Sequence, residues 1–185
     1  MKHCCYTFPG VIHGDFHDEN ILLLKKTEVE TTLSVEKDDN NSAHDDLILT
    51  RPEYIRAKYA VIDFGDVSHS PFVFDLAIAT SYFMMCDPRL DFTQNVAHFL
   101  CGYFTSYKPT ALELRSLFSS VCAAYCRETV LSKYTYIEQS RSNEYLLTAV
   151  DKGWRQLKVL WSKGEEDILN VWLETFEKYG LLLEF

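Results

Sequence analysis

"VIHGDFHDENILLL", residues 11–24, crowds His13, Asp15, His17, Asp18, Glu19 and Asn20 in front of the apolar run Ile21–Leu24. That run has the length of a β-strand and reads as buried. Two accounts compete for the polar groups before it. One is a polar loop entering a strand; the other is a site for a metal-bound phosphate.

A second stretch bears on the choice. "AVIDFGDVS", residues 60–68, again ends an apolar run, Tyr59–Ile62, on a carboxylate, Asp63. A bare carboxylate at the end of a buried strand is costly unless it is paired or metal-bound. The two runs are expected to pair as a small hairpin, which brings Asn20 and Asp63 together. Residues 25–58 then loop out as a charged insertion, rich in Asp, Asn, Ser and Thr around Asp38–Asp46 and expected to be partly disordered.

Beyond Pro71 the pattern turns helical. "FVFDLAIATSYFMMC" is apolar almost all round, as in a buried helix. Asp91 or Thr93 is suited to cap the next helix, through about Tyr107, and Thr110 with Glu113 has capping-box spacing for a third running at least to Lys133. Leu146, Val150, Trp154, Leu157 and Trp161 recur at helical spacing before Gly164, and Ile168, Trp172, Phe176 and Tyr179 before Gly180. Both stripes read as core, Trp154 and Trp161 included. The expected class is therefore α+β, mostly helical with a small β-hairpin.

Eighteen basic against 27 acidic side chains leave a formal charge of −9, which argues against a nucleic-acid-binding surface. The cysteines Cys4, Cys5, Cys86, Cys101, Cys122 and Cys126 show no zinc-ribbon spacing, and several lie in apolar helical stretches where a thiol packs as a small hydrophobe. His3, Cys4 and Cys5 have metal-binding composition, but no second ligand pair is spaced to complete a tetrahedral site. Residues 1–20 lack the apolar run of a signal peptide, and no stretch approaches a membrane span. A soluble protein of the reducing cytoplasm, without a membrane partner, is expected.

The chemistry lies in the spacing. His13-Gly14-Asp15 is followed, after four residues, by Asn20. In phosphoryl-transfer kinases this spacing belongs to a loop whose aspartate accepts the proton of the attacking hydroxyl and whose asparagine holds Mg²⁺. Asp63-Phe64-Gly65 at a strand end is where such enzymes place a second metal-holding carboxylate. Either motif alone recurs by chance. Both together, in order and each beside a strand, form a strong signal.

With "HGDFHDENIL", "VIDFGDVSHSPFVFDLAIA" and "EYLLTAVDKGWRQLKVLW" in place, the chain resembles the aminoglycoside phosphotransferase and choline kinase superfamily, and within it the hydroxylysine kinases. The resemblance runs from about residue 11 to 180. It implies a protein-kinase-like C-terminal lobe and transfer of the γ-phosphoryl of GTP or ATP, with Mg²⁺, to an amino alcohol, 5-hydroxylysine foremost. It assigns the hydroxyl-orienting or general-base role to Asp15, metal ligation to Asn20 and Asp63, and support of the loop to His13 and Asp75.

Met1 stands twelve residues before His13, which leaves no room for the family's nucleotide-covering lobe with its lysine. The whole chain, 1–185, is expected to be the C-terminal lobe alone. Two readings stay open: a truncated form of a hydroxylysine kinase, or a catalytically inactive lobe that binds or interacts. A protein kinase is disfavoured, because His-Gly-Asp replaces His-Arg-Asp and no Ala-Pro-Glu triplet follows.

Overall fold

The computed structural model describes residues 9–23, 59–85, 91–139 and 141–181. The 25–58 insertion, His3, Cys4, Cys5 and Cys86 lie outside the described residues. In chain order the elements are β1 (Pro9–Ile12), β2 (Ile21–Leu23), β3 (Tyr59–Val61), β4 (Ser68–Pro71), α1 (Phe72–Met85), α2 (Phe92–Phe104), α3 (Ala111–Glu138), α4 (Glu144–Lys163) and α5 (Glu165–Lys178). Single 3-10 turns occupy Asp18–Asn20 and Phe64–Asp66. The chain divides into two compact units, with boundaries between Asp18 and Glu19 and between Asp63 and Phe64.

The smaller unit holds the expected hairpin. β2 and β3 pair antiparallel with Ile21 opposite Val61 and Leu23 opposite Tyr59. The strands are not buried as their composition suggested: Leu23 is 64% and Tyr59 61% exposed, so apolar content alone misread them. A two-stranded ribbon has no second layer of its own to cover either face.

The larger unit adds a strand pair that the sequence reading did not anticipate. β1 and β4 run antiparallel, Pro9 opposite Pro71 and Ile12 opposite Ser68. Prolines at the open end cost little there, because a ladder end has N–H positions that need no partner. β4 leads directly into α1, whose Val73, Leu76, Ala77, Ile78 and Met84 are buried, whereas Phe74 is 48% and Phe83 40% exposed, so the helix is mostly buried but not on every side as its composition suggested.

Helix starts follow the expected caps. The Asp91 carboxylate accepts the Thr93 N–H at 2.9 Å and opens α2, while Lys163 at the end of α4 donates to the Thr93 hydroxyl at 2.9 Å. At α3 the capping box is complete. Buried Glu113 accepts from the Thr110 N–H (2.8 Å), the Thr110 hydroxyl (2.9 Å) and the Tyr107 hydroxyl (2.9 Å), and the Thr110 oxygen accepts the Glu113 N–H. Burial, then the bond to Glu113, pushes the Tyr107 phenol far above its usual range and keeps it a donor. Gly164, at φ 82°, separates α4 from α5, and Glu165, Glu166 and Asp167 place negative charge in the first turn of α5 where no side chain caps it.

The core is made by α1 to α5 together. Val96 and Leu100 from α2, Leu117, Val121 and Tyr125 from α3, Leu160 from α4, and Ile168 and Trp172 from α5 are almost completely buried. The Tyr125 hydroxyl donates to the Ser81 carbonyl at 2.9 Å and ties α3 to α1. Cys101 and Cys122 are buried free thiols, and burial, then Cys126 and Glu165, pushes Cys122 up to about 11, in keeping with packing rather than reactivity.

The apolar stripe of α4 is displaced from the expected one. Val150, Gly153, Leu157 and Leu160 face inward, whereas Trp154 is 45% and Trp161 71% exposed. Gly153 sets this phase. A Cβ there would stand 2.6 Å from the Thr129 methyl, so the close approach of α4 to α3 occurs at a residue without a side chain. Tyr179, also read as core, is 61% exposed and meets His98 Nδ1 at 3.1 Å through its hydroxyl.

Two stability predictions follow from burial and capping. Trp172→Ala should cost about 3–5 kcal/mol, whereas Trp161→Ala should stay within about 0.5 kcal/mol of wild type. Thr110→Ala should cost about 1 kcal/mol through loss of the cap. Chemical denaturation of the three variants checks the ordering, and comparable losses at Trp161 and Trp172 would contradict the assignment of the core.

Candidate functional site

The strand β1 delivers His13-Gly14-Asp15 to a place where the backbone is held from two directions. Asp75, in the first turn of α1, accepts the Gly14 N–H on Oδ1 at 2.9 Å and the His13 N–H on Oδ2 at 3.3 Å. One carboxylate thus satisfies two consecutive loop donors, the bond to Gly14 being the shorter. Gly14 is required by geometry. Its φ is 83°, and a Cβ would lie 2.3 Å from the Asp66 carbonyl oxygen, so the turn after Gly65 packs directly on the loop backbone. The position that carries arginine in protein kinases has no room here for any side chain.

His13 is buried, with its ring edge-on to Phe16 and 5.1 Å from the centroid of Phe64. Its Nδ1 accepts the Asp15 N–H at 3.3 Å and so serves the loop backbone. Asp15 itself is one quarter exposed and its two oxygens meet different partners. Oδ2 lies 3.4 Å from His17 Nε2, and Oδ1 lies 3.8 Å from an Arg127 guanidinium nitrogen.

Neither partner was legible as such in the sequence. His17 stacks on Tyr82 at 4.3 Å between centroids, nearly parallel, and also lies 3.9 Å from Asp18 through Nδ1. Arg127 sits on α3 and donates to Glu128 Oε1 from Nε at 3.0 Å and from Nη2 at 2.8 Å, while the Tyr82 hydroxyl donates to Glu128 Oε2 at 3.1 Å. Burial, then the Glu128 charge, holds the Tyr82 phenol far above its ordinary range, so it remains a donor to that carboxylate. In sequence Arg127-Glu128 is an ordinary charged pair on a helix. Only the fold brings it to the loop.

Beside these groups lies an open groove of about 740 Å³. Ser116, Ser119 and Ser120 of α3 line it with hydroxyls, Phe74 and Ile78 of α1 with apolar surface, and Gly14, Asp66 and Arg127 also contribute. That size suits a small organic molecule, and the mixed lining suits one that is part aliphatic and part polar.

In the smaller unit, the Asn20 carbonyl accepts the Ile62 N–H at 3.0 Å, which extends the β2–β3 ladder by one rung and sets Asn20 against the chain one residue before Asp63. The Asn20 side chain is buried. Asp63 is exposed, so the cost of burying a bare carboxylate does not mark it as a ligand. Its backbone is unusual: at φ 62° it is the one non-glycine residue with positive φ among the described residues. Such strain is uncommon and concentrates at functional positions. An amide oxygen and a carboxylate are hard donors that fit Mg²⁺, which uses few protein ligands and completes its shell with water and phosphate. They do not make a tetrahedral zinc site, and among the described residues no group of three or more His, Cys, Asp or Glu could hold a metal.

No protein-family model matches the chain, and no solved structure matches it. Curated proteins do. The chain is 28% identical over 167 residues to hydroxylysine kinase of Mus musculus, covering 90% of this chain and 38% of that protein. It is 29% identical over 169 residues to hydroxylysine kinase of Bos taurus, covering 87% and 44%, and 29% identical over 168 residues to that of Danio rerio, covering 90% and 39%. The chain thus spans about two fifths of the length of these relatives. Along nearly all of its own length, it is similar in sequence to hydroxylysine kinases.

Proposed function

We propose that the chain supplies the catalytic and metal-holding part of a small-molecule kinase with a protein-kinase-like C-terminal lobe, acting on the hydroxyl of 5-hydroxylysine or a similar amino alcohol with GTP or ATP as donor. The observation that carries this reading is the loop at Asp15. Two of its N–H groups are clamped by Asp75, Gly14 admits no side chain, and the Asp15 carboxylate is left partly open near a groove of substrate size. The sequence similarity to hydroxylysine kinases supports the choice of acceptor.

In this reading the acceptor lies in the serine-lined groove with its hydroxyl toward Asp15. The carboxylate orients that hydroxyl and takes its proton as the oxygen attacks the γ-phosphorus, while the bond from that phosphorus to the β,γ-bridging oxygen breaks and the nucleoside diphosphate leaves. Asn20 and Asp63 would hold Mg²⁺, which neutralises charge on the donor phosphates. His13 and Asp75 do no chemistry; they keep the loop in the conformation that aims Asp15. A cytoplasmic setting suits a kinase that draws on nucleotide triphosphates.

A second reading rests on the two-fifths coverage of the relatives: a lobe that binds and transfers nothing. The two separate in one assay. Phosphoryl transfer from GTP and from ATP is measured across hydroxylysine, choline, homoserine and an aminoglycoside, using the 185-residue chain and the same chain fused to the unmatched part of a relative. The kinase reading expects transfer to hydroxylysine by the fusion and little or none by the chain alone. Absence of transfer to every acceptor by both forms would leave the binding lobe.

In an active form, Asp15→Asn should lower kcat by about 10²–10⁴-fold with nucleotide binding largely intact. Asp63→Asn should instead weaken Mg²⁺-dependent nucleotide binding. Calorimetric titration of Mg-nucleotide into both variants, beside their turnover, tests the division of labour, and unimpaired turnover in Asp15→Asn would remove the proposed base.

A further inference from the structure

We propose that Arg127 is a positioning residue of the transfer, which, anchored by Glu128, holds the Asp15 carboxylate and the Gly14 carbonyl in register with the acceptor groove. The inference rests on the phosphotransfer reading of Asp15.

The geometry is a closed circuit. Tyr82 donates to one oxygen of Glu128, the other oxygen takes two N–H donors of Arg127, and the guanidinium faces Asp15 Oδ1 at 3.8 Å. His17 stands 3.4 Å from Asp15 Oδ2 and stacks on Tyr82, which closes the ring. Partners on both oxygens restrict rotation of the carboxylate about its side-chain bonds, which is what a base must have to meet one particular hydroxyl. Arg127 also donates to the Gly14 carbonyl at 3.5 Å. The loop is therefore held at its N–H groups by Asp75 on α1 and at its carbonyl by Arg127 on α3.

Stability is a poor account of this arrangement. Side chains of Arg127 and Asp15 are 42% and 25% exposed, and a pair at 3.8 Å in that setting is strongly screened. Nor can arginine act as the proton acceptor, since it does not deprotonate in proteins. A planar fork that reaches a carboxylate, a second carboxylate and a carbonyl at once is suited to fixing relative position, which a lysine could not reproduce. Arg127 also lines the groove, so a displaced Arg127 would change both the base and the wall beside it.

The test is steady-state kinetics on the form that transfers phosphoryl, with wild type, Arg127→Ala, Arg127→Lys and Glu128→Gln. Arg127→Ala should lose about 100-fold in kcat with the nucleotide KM within about twofold of wild type, the loss expected for a misplaced reacting group. Arg127→Lys should recover little of it. Added guanidinium ion should restore part of the activity of Arg127→Ala and none of that of Asp15→Asn, a response that a purely structural role would not give. Glu128→Gln, which keeps the Arg127 charge and weakens its anchor, should fall between, and circular dichroism checks that each variant is folded. Should Arg127→Ala be misfolded, Glu128→Gln alone decides, and wild-type kcat in that variant overturns the inference. Equal kcat in wild type and Arg127→Ala overturns it while leaving the kinase reading intact. Absence of transfer by wild type in every form defeats the kinase reading, and the inference with it.

Discussion

The pair of hydrogen bonds from the Gly14 and His13 N–H groups to the Asp75 carboxylate is the constraint on which the rest of the larger unit depends. A loop at the end of a four-residue strand has too few local contacts to hold one conformation against its entropy. Asp75 supplies the missing contacts from the first turn of the most apolar helix among the described residues, whose own position is secured by burial. The close packing of the Asp66 carbonyl on Gly14 then brings the chain after Asp63-Phe64-Gly65 against the same loop. Helix α1 is thus a buried pillar whose one early charge serves the loop.

Much of this was legible locally. The strand runs, the cap at Asp91, the capping box at Thr110 and Glu113 and the glycine after α4 all act within a few residues of one another, and their chemistry is written in consecutive positions. The two motifs around Asp15 and Asp63 were legible for the same reason. Asp75 came from the family resemblance, which implies support of the loop; its place in the first turn of an apolar helix by itself marks only a charge favoured by the helix dipole. The illegible parts are those set by partners far away in sequence. His17 and Arg127 are such residues, because nothing near them in the chain shows that they face Asp15.

The phase of α4 shows a different failure. Leu146, Val150, Trp154, Leu157 and Trp161 satisfy a helical repeat as well as Val150, Gly153, Leu157 and Leu160 do, and the first set has the greater apolar area. Area favours the tryptophans. Distance favours the glycine, because α4 approaches α3 more closely than a side chain at residue 153 would allow. Packing contacts of this kind decide orientation after hydrophobicity has decided only that a helix will be half buried. The strands misled in the opposite sense: β2 and β3 are apolar enough for a core, yet much of their side-chain surface stands open among the described residues.

The meeting of Gly153 with Thr129 has a mechanical consequence. Thr129 lies two residues beyond Arg127 on α3, and its hydroxyl is tied back to the Tyr125 carbonyl at 2.7 Å, so it has little freedom to turn aside. A methyl group at residue 153 would press on a stiff part of α3 within a turn of the guanidinium that faces Asp15. Helices transmit such a push as rigid rods, by shifting along or about their axes. Helix α4 thereby bears, through its smallest residue, on the stretch of α3 that carries Arg127.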